Sequence, residues 1–192
     1  MRAVAIILLS VASAVVYGIL HDQVTARVCV EYFTIGHAPV FPTESPTLLG
    51  IGWGVIATWW VGLLLGVPLA AAARAGRRPK RDVRSLVRPI TRLLLVMAAC
   101  AAIAGVTGYA LGRSGWVYLL EPLASRVPGD RHARFLADLW AHRASYLVGF
   151  LGGLVVVAGV WRSRGVRSPA GKTGQVETSR ASQPGSWPRA MP

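Results

Sequence analysis

The chain of 192 residues is 53% hydrophobic and only 15% charged, which leaves too little polar surface to cover a soluble domain of this size. Its formal charge of +13 first suggests nucleic acid, but the excess is confined to particular connections between apolar runs, where topology accounts for it without a nucleic-acid partner. Cys29 and Cys100 form no CxxC and fall at different depths of the layout below, so thiol oxidoreductase chemistry has no support.

Long stretches free of charge lie at Ala3 to Leu20, Ser45 to Ala73, Leu93 to Gly112 and Ala144 to Trp161, each about 18 residues or more and long enough to cross hydrocarbon. They predict an all-α membrane protein with four transmembrane helices at about 3–20, 47–73, 93–111 and 144–161, in one membrane domain over 1–161. The first run contains Ala12-Ser13-Ala14, which fits a signal-peptidase site, so loss of residues 1–14 stays open. The apolar run continues to Leu20 and is better suited to an uncleaved anchor.

The first outer segment, 21–46, is expected to be ordered. Gln23, Thr25, Arg27, Cys29 and Glu31 alternate with Val24, Ala26, Val28 and Val30, a period-two pattern that favours a short strand within 23–35. A helix is the alternative, with Arg27 and Glu31 paired at i, i+4 and Gly36 ending it. Pro39, Pro42 and Pro46 then favour an extended approach to the second membrane helix, which Pro68 is expected to kink near its inner end.

The cytoplasmic loop, 74–92, carries Arg74, Arg77, Arg78, Lys80, Arg81, Arg84, Arg88 and Arg92 against Asp82 alone. After the third helix, the second outer segment (112–143) has a turn at Pro128-Gly129-Asp130. A helical stretch follows from Arg131 with Phe135, Leu136, Leu139 and Trp140 on one face, placed to lie along the membrane surface or to rest on the first outer segment. The two outer segments form an ordered cap. The tail, 162–192, is rich in Arg, Ser, Gly and Pro without apolar periodicity and reads as a disordered basic cytoplasmic segment.

Basic residues crowd the alternate connections and the tail, whereas the outer segments balance. The positive-inside rule therefore places both termini in the cytoplasm. The Arg-over-Lys, Ala- and Gly-rich composition points to a GC-rich bacterial genome and a plasma (inner) membrane location, with membrane lipids as the first partners. Small residues four apart, Gly50 and Gly54, Gly62 and Gly66, Gly108 and Gly112, Gly149 and Gly153, allow close helix packing. Within one chain they build the bundle; between chains they would serve a homo-oligomer or a membrane partner.

His21, His37, His132 and His142 all fall in the outer segments. Arg134, Asp138 and His142 are spaced i, i+4, i+8, so that on a helix the carboxylate can orient the imidazole and the arginine the carboxylate. His21 and Asp22 lie at the same depth as His142, and Glu31 and His37 can fold over the same mouth. Candidate catalytic residues are therefore His142, Asp138, His21 and Asp22. Candidate ligands for a divalent metal such as zinc are His21, Glu31, His37 and His142. The alternative for these side chains is the capping of helix ends, and a further alternative is a haem or quinone held by His21 and His142. No HExxH, GxSxG or P-loop occurs, and the apolar runs hold no ionisable residue, which disfavours coupled transport.

The segments His21-Asp22-Gln23-Val24-Thr25-Ala26-Arg27-Val28-Cys29, Glu31-Tyr32-Phe33-Thr34-Ile35-Gly36-His37 and Ala141-His142-Arg143-Ala144-Ser145-Tyr146 resemble those of a group of small four-helix bacterial integral membrane proteins with no assigned activity. The resemblance covers about residues 1–160 and implies the four-helix layout, but no site residue. The expected function is an integral plasma-membrane protein of undetermined activity. The alternatives are an outer-face metal or acid–base site for a lipid-borne substrate, and an accessory subunit of a membrane complex.

Overall fold

The computed structural model describes residues 1–165, and every regular element among them is helical. In order these are α1 (Arg2–Val28), α2 (Val30–Thr34), α3 (Pro46–Ile56), α4 (Trp59–Arg74), α5 (Val83–Arg113), α6 (Leu123–Arg126) and α7 (His132–Ser163), the last entered through a 3-10 turn at Gly129–Arg131. Four stretches, Arg2–Val28, Pro46–Arg74, Val83–Arg113 and Gly129–Ser163, are long and apolar enough to cross a membrane. This is the architecture of a multi-pass membrane protein.

The helices run past the ends of the apolar runs. α1 continues beyond Leu20 to Val28, α5 starts at Val83 and α7 at His132, so the loop expected over 74–92 shrinks to 75–82. Backbone hydrogen bonding carries a helix onward whatever its side chains, provided the polar ones find partners. Along α1 the Thr25 hydroxyl donates to His21 O at 3.2 Å, and Arg27 donates to Gln23 Oε1 at 2.8 Å.

The strand considered for 23–35 does not form. Cys29 alone is extended, at φ −151° and ψ 97°, and separates α1 from α2. That single break also undoes the expected Arg27–Glu31 pair, because the two residues no longer share a helix face. Arg27 reaches Thr47 Oγ1 at 2.9 Å instead, and Glu31 pairs with Arg131 at 3.5 Å.

The second span is interrupted at Ala57–Thr58, between α3 and α4, while α4 runs unbroken through Pro68. The break lies where this span packs most closely on α1. A Cβ on Gly54 would stand 2.5 Å from Ile19 N, and one on Gly18 would stand 2.5 Å from the Thr58 methyl. The backbones thus touch at Gly54, and Thr58 fills the notch at Gly18.

Gly50, Gly62 and Gly66 press on α1 in the same way, at Asp22, Val11 and Ser10, while Gly108 and Gly112 press on α7 at Leu136 and Ala133. The small-residue faces therefore build two close pairs inside the chain, α1 with α3 and α4, and α5 with α7. The pairs meet chiefly where α4 lies against α7.

One end of the bundle carries the histidines, and the other carries the short basic loop between α4 and α5. At the histidine end the cap is ordered: Ala26, Cys29, Tyr32, Phe33, Leu49, Leu119, Val127, Phe135 and Leu136 form one buried cluster. The first turns of α7 thus rest on α2 and continue into the span. α5 stops there in a Schellman turn, with Trp116 N–H donating to Leu111 O at 3.0 Å and Gly115 at φ +74°, where glycine is favoured.

At the other end Arg164, only 3% exposed, donates to the carbonyls of Ala72, Ala75, Arg78 and Pro79. It was expected within the tail; it is instead the clamp on the C-terminus of α4. The remainder of the tail, 166–192, lies outside the described residues.

Candidate metal centre

His21 and Asp22 near the end of α1 meet His142 near the start of α7, with their donor atoms all within 4.8 Å of one another. Asp22 and His142 are buried. The histidine end thereby gathers two imidazoles and a carboxylate out of bulk water.

The protonation of His142 follows from its partners. Nδ1 lies 2.8 Å from Asp138 O, and a carbonyl only accepts, so Nδ1 carries the hydrogen. In the neutral ring Nε2 then presents a lone pair, and it faces Asp22 Oδ1 at 3.2 Å. Two acceptors at this distance repel unless a cation, either a proton or a metal ion, lies between them.

His21 adds a third group. Its ring stands edge-on to His142 with centroids 4.6 Å apart, and its Nε2 is buried without a hydrogen-bond partner. Zinc bound tetrahedrally at 2.0–2.1 Å from nitrogen and 2.0–2.2 Å from oxygen holds neighbouring donors roughly 3.3 Å apart. The His142–Asp22 spacing suits that geometry, and the Nδ1–carbonyl bond is the outer contact that usually orients a metal-binding histidine.

The other candidates fall elsewhere. Asp138 is 1% exposed, but it serves His142 through its backbone; its Oδ2 has no partner. Arg134 is exposed and makes no ion pair with it. The expected Arg134–Asp138–His142 relay is therefore absent, because the His142 side chain turns back along the helix and reaches the carbonyl four residues earlier.

Glu31 is held in the cap by Arg131 and by the Cys29 thiol, whose Sγ donates to Glu31 Oε2 at 3.3 Å. It does not join the cluster. Burial, with the Glu31 hydrogen bond second, pushes the Cys29 thiol up to about 12, so it is no nucleophile at neutral pH.

His37 lines the same cavity as the cluster, but its Nδ1–H donates to Tyr32 O at 2.8 Å and its ring lies 4.6 Å from that of Trp53. Burial holds it below its ordinary value. It is a wall residue. His132 donates from Nε2 to Val127 O at 2.9 Å and ties down the turn before α7.

The closeness of the His21 and His142 rings also removes the haem alternative, since a porphyrin iron must sit between its two axial imidazoles. The case against transport changes as well. Once α1 and α7 extend to their observed ends, Asp22, Asp138 and His142 lie on membrane-length helices, so ionisable groups are present there after all.

No family model, curated protein or solved structure matches this chain.

Sequence reasoning missed what lies under the cluster. Tyr17, one turn below His21 and stacked on it at 5.7 Å, shares a 2.8 Å hydrogen bond with Ser145 of α7. Tyr32 covers His142 at 4.5 Å. Below them a cavity of about 140 Å³ opens between the two helix pairs. The spacing of Tyr17 and His21, four apart, was the available signal for the first of these contacts.

Proposed function

We propose that the chain is a plasma-membrane protein with both termini cytoplasmic and a divalent-cation site, zinc being the best fit, at the outer mouth of its bundle, for chemistry on a lipid-borne substrate. The location is read from the distribution of basic residues and from the composition. The cation reading rests on one observation above all: His142 Nε2 and Asp22 Oδ1 face each other at 3.2 Å beside the unpartnered, buried Nε2 of His21.

Three protein ligands leave a fourth tetrahedral position, the arrangement of catalytic rather than structural zinc. All three residues line the cavity, so an ion held by them would be placed to polarise a substrate oxygen or a water there. An accessory-subunit role has no comparable support, because the glycine faces that suggested it are occupied within the chain.

The test is the metal content of the full-length protein in nanodiscs after equilibration with zinc and removal of excess. About one zinc per chain is expected. His142→Ala and Asp22→Asn should weaken binding at least about 100-fold, beyond the roughly 10–100-fold seen on losing an outer contact, with helical content unchanged by circular dichroism. A wild-type protein that retains no zinc, or variants that bind as well as it does, would overturn the reading.

A further inference from the structure

The cavity below the cluster is bounded by α1, α3, α4, α5 and α7, and its lining includes the small side chains of Ala14 and Ala57. Protein interiors normally close up to few voids larger than a water molecule. Here the two helix pairs pack closely within themselves and leave a long gap between them.

Its lining runs from Ser10 to Asp22 on α1 and from His142 to Val157 on α7. At the rise of an α-helix these stretches are about 18 Å and about 22 Å, longer than one leaflet of a hydrocarbon core of about 30 Å.

Polar capacity is concentrated at one end of this gap. The Ser10 hydroxyl donates to Ile6 O and that of Thr58 to Gly54 O, which leaves both only as acceptors, and Ser13 is the third hydroxyl on this part of the wall. The Tyr17–Ser145 pair differs, because two hydroxyls share one hydrogen bond and a second O–H remains to donate. It lies directly under His21 and His142.

We propose that this cavity binds a single hydrocarbon chain of an ester-linked lipid, with the ester oxygens between the Tyr17–Ser145 hydroxyls and the cluster and the chain running toward Leu69 and Ile90. The placement of the ester end rests on the cation reading above; the chain site rests on the cavity alone. A polar group at one end and a linear apolar space beyond it match a single-chain amphiphile lying along the membrane normal.

The probe is an alkyne-tagged palmitoyl lysophosphatidylcholine with a diazirine in mid-chain, added to the full-length protein in nanodiscs, with adducts mapped by mass spectrometry and zinc measured on the same samples. Adducts on Val61, Leu65 and Met97 are expected. They should fall at least about fivefold in Met97→Trp, which fills the space, while zinc content is unchanged. Val61→Phe serves as the second filling variant if the first fails to fold.

Adducts confined to outward-facing Leu95 and Ile103, or equal labelling of the filled variant, would overturn the proposal. Cavity adducts that persist in a wild-type protein retaining no zinc would sustain the chain site and remove the cation reading. A tagged diazirine alkane of the same chain length, which lacks the ester, is the second arm, since a free carboxylate would itself ligate a cation. Labelling at least about fivefold weaker than by the ester supports the ester placement, and equal labelling contradicts it.

Discussion

Asp138 separates two accounts of how His142 is positioned. If its carboxylate oriented the imidazole, Asp138→Asn would weaken zinc binding as an outer-contact loss does, by roughly 10–100-fold. In the structure the backbone carbonyl does this work and Oδ2 has no partner, so Asp138→Asn should leave affinity within about threefold, measured by competition with a zinc chelator. Cys29 gives a second test at this scale. With its thiol pushed up to about 12 and its side chain buried, it stays a neutral thiol as pH rises through the physiological range, and stability does not depend on its ionisation there. Maleimide labelling should remain far slower than for a free cysteine up to about pH 9 and become rapid only on unfolding. Rapid labelling of the native protein would show an open cap.

Among the elements, the junction of α4 and α7 depends most on one side chain. Arg164 offers its guanidinium to four carbonyls at the C-terminal end of α4, where cations are favoured by the helix dipole. Charge-assisted bonds of this kind are worth about 1.5–3 kcal/mol each, and removal leaves buried carbonyls unpaired. Arg164→Ala should therefore lower stability by about 2–4 kcal/mol in reversible unfolding in mixed micelles, with Arg164→Lys recovering only part because an ammonium cannot span the carbonyls as the planar group does. A variant as stable as the wild type would show the clamp to be incidental. The four apolar runs located the spans, since desolvation demands them. The ends of α1, α5 and α7 were not visible, because helical hydrogen bonding continues through polar residues. The break at Cys29, the interruption at Ala57–Thr58 and the ordering of Arg164 each depend on contacts from distant parts of the chain.

For the molecule as a whole, two close helix pairs with a gap between them put a polar cluster at one end and a hydrocarbon-lined space below it. The meeting of His21 and Asp22 with His142 was legible from equal depth on two helices. The cavity was not, because it depends on which small residues face one another across the pairs. The orientation is tested by fusions of an enzyme active only outside the cytoplasm: activity is expected near Gly129 and none near Arg78, and the reverse would invert the bundle. The central claim, that His21, Asp22 and His142 hold a cation, is tested most directly by zinc X-ray absorption on the full-length protein. A first shell of two imidazole nitrogens and a carboxylate oxygen at about 2.0–2.2 Å with one further light atom is predicted, and it should be lost in His142→Ala. A shell containing sulfur, or one without imidazole scattering, would contradict it.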